Sequence, residues 1–198
     1  METKYLCLDI ETAPIYSWVD LPDRLRNIWL KKTENRFQEC INIVEKYDKN
    51  VSFFSLFSKI ICISVSFADK SEIKSYIGDE IDILNQLSND LLKISKIYNL
   101  KFVGHNITTF DMPFILQRSL INKISMPIIN KIIGCKPWEV PFFDTMLMWR
   151  ATSNEWCPLD YICEALGLSN PKDELQGSQK DVIAVKQVFN ILFNAFNS

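Results

Sequence analysis

The sequence predicts an α/β protein in which a mixed β-sheet is flanked by helices. Three observations lead to this fold class: short apolar runs typical of buried strands, longer segments with helical spacing of their apolar residues, and the alternation of the two along the chain. The chain has 198 residues, and no linker or repeat divides it. We therefore expect residues 1–198 to form a single domain.

The first half of the chain contains four predicted elements, the second of which is a helical insert after the first strand. They are a buried strand over residues 4–10, the insert over residues 20–48, a hairpin with strands over 59–67 and 72–77, and a helix over 81–98 with Asp79 as its N-cap. Two placements of the region 20–57 stay open. It covers a nucleic-acid cleft, or it buries the adjoining edge of the sheet.

The second half of the chain is predicted to be mainly helical. Its elements are a strand over residues 100–103 closed by Gly104, a helix over 109–122, a short helix over 146–150 with Asp144 as its N-cap, a helix over 159–166 stopped by Gly167, a polar loop over 170–177 and an amphipathic helix over 178–196. Prolines interrupt residues 126–149, and no strand is predicted there.

Composition excludes several classes of protein. Hydrophobic residues make up 47% and charged residues 23%, which excludes intrinsic disorder. The formal charge of −2 excludes a polybasic binder, but nucleic acid stays possible as a substrate because bound metal ions supply positive charge. No membrane-length apolar run or signal peptide is present, so we expect a cytoplasmic protein without a membrane partner. The six cysteines lack a Cys-x-x-Cys pair, which argues against zinc.

Two acids close the first predicted strand. Asp9 and Glu11 lie at i and i+2, so their side chains point to one face of the strand. Two like charges among apolar neighbours are costly unless a cation offsets them, and a hard divalent ion such as Mg²⁺ or Mn²⁺ prefers carboxylate oxygens. The alternative is a strand end with a solvated acidic turn.

Other polar residues each have an ordinary structural interpretation beside a functional one. Asp111 opens a helix, where an acid complements the helix dipole, and Asp181 forms a Ser-x-x-Asp capping-box pattern with Ser178. Asp144 fits an N-cap, and His105, the only histidine, fits a hydrogen-bonding structural residue. Together the acids lie at a strand end and at helix starts, which can converge at one edge of a sheet.

Three segments resemble the motifs of DEDD-superfamily 3′–5′ exonucleases. Leu8-Asp9-Ile10-Glu11-Thr12 resembles the first motif, the segment 104–114 with its Asn-x-x-x-Phe-Asp pattern resembles the second, and Lys180-Asp181-Val182 resembles the end of the third. The arrangement is most similar to predicted exonucleases related to the exonuclease domain of family-B DNA polymerases. The resemblance covers nearly the whole chain.

This resemblance implies an RNase H-like fold and hydrolysis of phosphodiester bonds with two Mg²⁺ or Mn²⁺ ions. By the resemblance, Asp9 bridges both metals, Glu11 and Asp181 complete the site that activates water, and Asp111 holds the second metal. Residues implied to place the terminal nucleotide are Thr12, Asn106 and Phe110. The implied partner is nucleic acid, DNA rather than RNA. Stacking of a frayed base on Phe110 or Phe114 is one interpretation of these rings, and core packing is the other.

The third motif departs from the family pattern. The family's water-orienting tyrosine, four residues before the last aspartate, is replaced by Gly177, and the histidine that a related subfamily has five residues before it is replaced by Gln176. Two parts of the motif are fused, as if the chain between them were lost. A catalytically impaired, nucleic-acid-binding relative therefore stays open as an alternative, as does a scaffold for protein interaction.

Overall fold

The computed structural model describes residues 1–36, 42–136, 139–140, 142–168 and 177–197. Five strands form one mixed sheet in the order β3-β2-β1-β4-β5. The strands are β1 Thr3–Pro14, β2 Ser58–Phe67, β3 Lys74–Ile77, β4 Asn99–Gly104 and β5 Phe142–Asp144. β1 pairs antiparallel with β2 and parallel with β4, β2 pairs antiparallel with β3, and β4 pairs parallel with β5. The predicted mixed sheet and hairpin are confirmed, and β5 is an addition.

Helices flank this sheet, as the sequence predicts. They are α1 Asp23–Thr33, α2 Ile43–Asn50, α3 Glu80–Ser95, α4 Asp111–Ile121, α5 Thr145–Arg150, α6 Leu159–Ala165 and α7 Ser178–Asn197. Asp79 caps α3 by accepting from the Ile81 amide at 2.9 Å, as predicted. α3 ends earlier than its apolar spacing suggests, because Ile97 lies in a turn and is exposed. The predicted loop over 170–177 lies outside the described residues except for Gly177.

Side-chain alternation on the central strand β1 separates two cores. Leu6, Leu8 and Ile10 belong to the larger apolar cluster, which includes buried residues of α3 and α4. Cys7 lies on the opposite face and packs in a cluster with residues of α7 such as Val185. Asp9 and Glu11 continue the alternation that Cys7 begins, so the fold directs them toward α7.

The insert between β1 and β2 has an apolar core of its own. This core is formed by Leu21, Trp29, Tyr47, Val51 and Phe57. The insert lies at the end of the β1–β2 pair and also contacts α4, where Arg118 donates a hydrogen bond of 2.8 Å to the Ser55 carbonyl. It therefore borders both the sheet and the helix that begins at Asp111.

A buried ion pair joins α3 to α4. Arg118 donates to Glu80 through Nε at 2.8 Å and through Nη2 at 2.5 Å. The Ile60 amide at 2.7 Å and the Asn122 side chain at 2.9 Å also donate to Glu80. Burial alone would raise the pKa of Glu80, but these hydrogen bonds hold it below its usual value. Among the residues that the structure describes, no helix is long and apolar enough to cross a membrane.

Candidate active site

Three carboxylates from two elements meet beside the central strand. One oxygen each of Asp9, Glu11 and Asp181 lies within 4.8 Å of the other two. Asp9 and Glu11 are on β1 and face α7, and Asp181 is in the first turn of α7. The alternation of β1 and the packing of α7 against Cys7 together bring these distant acids to one place.

Asp111 lies against the backbone of the same strand, at Ile10. Its Oδ1 accepts a hydrogen bond of 3.2 Å from the Ile10 amide, and only 2% of the residue is exposed. The pairing of β1 with β4 ends at Cys7 and Val103, so the Ile10 amide has no ladder partner on β4 and is open to the first turn of α4. The aspartate therefore satisfies a backbone donor of the strand that carries Asp9.

The two innermost acids hold their protons unusually strongly. Burial, followed by the charges of Asp111 and Asp181, raises the pKa of Asp9 well above its usual value. Burial raises the pKa of Asp111 to about 7, although the Ile10 amide acts in the opposite direction. These shifts mean that a fully ionised cluster is unfavourable unless positive charge is supplied.

The pKa values of the other two acids, Glu11 and Asp181, are also raised. Burial and then the charge of Asp181 raise the pKa of Glu11, and the Ser178 backbone amide opposes this shift. Burial and then the charge of Asp160 raise the pKa of Asp181. Asp160 was missed from the sequence, because its only signal is its position in the first turn of the predicted helix over 159–166.

The donor set fits hard divalent cations. All the candidate ligand atoms are carboxylate oxygens, which Mg²⁺ and Mn²⁺ prefer, and three of them lie close enough to share one ion. Burial, and then the charges of neighbouring acids, raise the pKa values of Asp9 and Asp111, and a bound cation would offset both effects. The residues present could therefore hold a metal, and the geometry does not distinguish one ion from the other.

A polar network fixes the start of α7. The Ser178 hydroxyl lies 2.8 Å from the Ser64 hydroxyl and 3.2 Å from the Cys62 sulfur, both on β2. The predicted capping box is wrong, because the amides of Lys180 and Asp181 donate to the Gly177 carbonyl instead of the Ser178 hydroxyl. The serine therefore anchors the helix to the sheet and does not cap it. Cys62 itself is only partly buried.

Gly177 stands where the family pattern has a tyrosine, and its backbone contacts the cluster. Its φ is +54°, and a Cβ on it would lie 2.8 Å from Oε1 of Glu11. Both features favour glycine. A side chain at this position would have to displace Glu11, so position 177 itself supplies no water-orienting group. Gln176 lies outside the described residues.

Asp144 holds the loop that carries the second motif. It caps α5 by accepting from the Met146 amide at 3.1 Å, as predicted. It also accepts from the Asn106 amide at 3.0 Å and the Thr108 amide at 3.1 Å. Asn106 adopts a φ of 59° in this turn. Asp144 therefore shapes the approach to Asp111 from outside the three-acid cluster.

His105 is structural, as its sequence context indicated. Its Nδ1 lies 3.1 Å from the Thr145 hydroxyl, and its Nε2 lies 2.8 Å from the Cys157 carbonyl. Burial lowers the pKa of the ring, which favours the neutral form.

The residues predicted to place the nucleotide differ in their surroundings. Thr12 follows a bulge in β1, and its hydroxyl donates to the Ser52 carbonyl at 2.9 Å, which commits its proton to the insert. Phe110 is partly exposed, with its ring centroid 5.9 Å from that of Phe53. Phe114 is only 3% exposed and packs in the main core. The prediction that a base stacks on this ring is therefore wrong, and the core-packing interpretation is confirmed.

The fold is similar to that of several solved structures. A family B DNA polymerase from the archaeon Pyrobaculum calidifontis matches with a TM-score of 0.57 at 12% identity, over 96% of this chain and 24% of the polymerase chain. The Pan2 pseudoubiquitin hydrolase–RNA exonuclease module from Saccharomyces cerevisiae, in complex with AAGGA RNA, matches with a TM-score of 0.53 at 12% identity, over 100% of this chain and 30% of that one.

Exonuclease I from E. coli, in complex with a dT13 oligonucleotide, matches with a TM-score of 0.53 at 10% identity, over 99% of this chain and 43% of the other. The chain thus spans less than half the length of each of these proteins. No protein-family model and no curated protein sequence matches it. The likeness confirms the predicted α/β fold with a mixed sheet flanked by helices, and the resemblance to these polymerase and exonuclease structures is one of fold.

Proposed function

We propose that this protein is a divalent-metal-dependent 3′–5′ exonuclease that hydrolyses phosphodiester bonds of single-stranded or frayed DNA. The observation that carries the proposal is the convergence of Asp9, Glu11 and Asp181 within 4.8 Å. Asp111 accepts a hydrogen bond from the amide of Ile10, between Asp9 and Glu11, and completes a set of four acids. The similarity of the fold to exonuclease I bound to a DNA oligonucleotide supports the same activity.

Asp9, Glu11 and Asp181 would hold one cation, and Asp9 with Asp111 would hold a second. When bound, the two ions supply the positive charge that lowers the pKa of an attacking water and stabilises the leaving oxygen. The chain's own contribution is to fix the carboxylates before the substrate arrives. Ile10 holds Asp111 by a hydrogen bond, and the Ser178–Ser64 contact holds the helix that carries Asp181.

The chain contributes no side chain at the position of the water-orienting tyrosine. Gly177 fills that position with backbone, in contact with Glu11. A positioned acid or base typically contributes about 10²- to 10⁴-fold to a hydrolysis rate. We therefore propose an enzyme that depends on its metals and carboxylates alone and that is correspondingly slow.

The substrate is held by phosphate contacts and stacking. Thr12 directly follows Glu11, Phe110 directly precedes Asp111, and the Asn106 carbonyl accepts from the Phe110 amide at 3.0 Å. These three residues would place the terminal nucleotide. Contacts to phosphate and sugar carry no sequence information, so cleavage is sequence-tolerant. A carboxylate cluster repels a phosphate backbone, so binding depends on the bound cations, which offset that charge.

Release of nucleotides from labelled single strands tests the proposal. With Mg²⁺ or Mn²⁺, a 3′ label is expected to leave the strand before a 5′ label, and products shorten from the 3′ end. Asp9→Asn should abolish release, whereas Asp82→Asn, an exposed acid on α3 outside the cluster, should leave it unchanged. Absence of products with either ion at high enzyme concentration would contradict the proposed activity.

A second candidate is a folded nucleic-acid-binding relative without catalysis. The observation that favours it is Gly177, which leaves no room for the family's water-orienting group. This candidate predicts that the wild-type chain binds single strands with metal present, and that no cleavage accompanies binding. The same assay therefore separates the two.

A further inference from the structure

We propose that the insert supplies a second nucleotide subsite beside the acid cluster, so that the protein holds a single strand at least one nucleotide upstream of its terminus. The inference rests on the proposed function. A cavity of about 310 Å³ lies between the insert and α4, and its lining includes Lys32, Arg36, Phe53 and Phe110. This volume is at the lower end of the range typical of ligand sites.

Two aromatic rings provide a stacking surface in this cavity. Phe53 is 59% exposed, and its ring centroid lies 5.9 Å from that of Phe110 in an edge-to-face arrangement. Phe110 immediately precedes Asp111, and Ser52, next to Phe53, accepts a hydrogen bond of 2.9 Å from Thr12, next to Glu11. These two links place the cavity beside the residues that follow and precede the acids, although none of the four acids lines it. An exposed phenylalanine at the mouth of a cavity gives a base a flat apolar surface on which to stack.

The charge of the cavity suits a phosphate backbone. Lys32 and Arg36 are its charged lining residues, and within the described ranges of the chain no acidic side chain lines it. The Lys32 ammonium lies 5.5 Å from the centroid of the Phe54 ring, on the insert side of the cavity. The whole chain has a formal charge of −2, whereas the charged residues that line this cavity are both positive. Aromatic rings with neighbouring cations are the combination that binds single strands without reading sequence.

A binding experiment separates this subsite from the terminal one. Fluorescence anisotropy measures the affinity of the chain with its four acids intact for a labelled decathymidylate and for labelled thymidine 5′-monophosphate, with Ca²⁺, which also binds carboxylate oxygens, in place of Mg²⁺ to limit cleavage. Phe53→Ala should weaken binding of the decathymidylate about 5- to 150-fold, the loss of one stacked base, and leave binding of the mononucleotide unchanged. A decauridylate should show the same loss, because stacking does not read the sugar.

The matched control is Phe196→Ala. Phe196 is 65% exposed near the end of α7 and does not line the cavity, so its removal should change neither affinity. Two further variants test the cations. Lys32→Ala and Arg36→Ala should each reduce the slope of log affinity against log salt by about 0.7, the value for one phosphate contact on a single strand.

Equal affinities of Phe53→Ala and Phe196→Ala for the decathymidylate overturn the subsite, as does an unchanged salt slope in both cation variants. If the wild-type chain cleaves DNA while these variants bind normally, the proposed function stands and only the subsite fails. If binding depends on Phe53 and the wild-type chain never cleaves, the subsite stands and the exonuclease proposal fails.

Discussion

Asp111 accepts a hydrogen bond of 3.2 Å from the backbone amide of Ile10, although 101 positions separate the two residues in the sequence. Ile10 is the residue between Asp9 and Glu11, so this contact places the first turn of α4 beside the acids of β1. The contact exists because β4 stops pairing with β1 at Cys7 and leaves the Ile10 amide without a ladder partner. The early end of one strand pair thus creates the site.

Replacing Asp111 by asparagine should separate stability from activity. Asparagine keeps an oxygen that can accept from the Ile10 amide but removes a buried charge. We expect the metal-free variant to melt at a higher temperature than the wild-type chain at pH 8, and to be inactive with Mg²⁺ or Mn²⁺. Thermal melts in a chelator and the nucleotide-release assay measure the two effects. A lower melting temperature would contradict the view that the buried charge of Asp111 destabilises the metal-free protein.

The stability of the metal-free protein should fall as pH rises from about 4 to about 7. The folded pKa of Asp111 is raised to about 7 by burial, above the value of about 3.9 for an unperturbed aspartate. The folded state then binds more protons than the unfolded state between these values, so the free energy of unfolding decreases with pH. Urea denaturation at several pH values in a chelator measures this slope, which Asp111→Asn should reduce. A flat or rising profile would show that burial does not raise the pKa of Asp111 in the folded protein.

Binding of a divalent metal ion should restore the stability that the metal-free protein loses as pH rises. An ion that binds only the folded state at 100 times its dissociation constant adds about 2.7 kcal/mol of stability. At pH 8 we expect Mn²⁺ to raise the melting temperature of the wild-type chain, and to have little effect on a variant carrying Asp9→Asn and Glu11→Gln. Equal shifts in the two proteins would place the bound ion somewhere other than at Asp9 and Glu11.

Gly177→Ala should impair both stability and activity. The backbone there has a φ of +54°, and the added Cβ would lie 2.8 Å from Glu11 Oε1. The left-handed conformation alone costs a non-glycine residue about 1–2 kcal/mol. Gly167→Ala is the matched control, since Gly167 has a φ of +64° and a Cβ added to it would have no neighbour within 4 Å. Chemical denaturation should show a larger loss for Gly177→Ala, and only that variant should lose nuclease activity.

Arg118→Met should destabilise the fold by about 3–5 kcal/mol, because it leaves the Glu80 carboxylate buried without its partner. Lys49→Ala removes one partner of an exposed ion pair with Glu45 and should change stability by about 0–1 kcal/mol. Urea denaturation of both variants measures the difference. Similar losses in the two would mean that the Glu80–Arg118 pair is not structurally important.

Local patterns in the sequence predicted much of the fold. Period-two alternation correctly placed Asp9 and Glu11 on one face of β1, and the N-caps Asp79 and Asp144 are confirmed by hydrogen bonds within their own helices. The strand β5 was missed because its three residues are too few to show a period and prolines surround them.

Features that depend on distant contacts could not be predicted. Ser178 looked like a helix cap because Asp181 follows it at the right spacing, yet its hydroxyl bonds to Ser64, 114 positions away. Phe53 and Asp160 had no motif to mark them, and only packing brings them beside Phe110 and Asp181. The spacing of residues along the sequence does not predict contacts between elements that are distant in the chain.

The position of Mn²⁺ in a crystal of the wild-type chain, located by its anomalous scattering, decides whether the four acids form a metal centre. We predict manganese coordinated by Asp9, Glu11 and Asp181, with a second ion reached by Asp9 and Asp111. A crystal soaked in Mn²⁺ that shows no anomalous peak within coordinating distance of Asp9 would contradict this prediction.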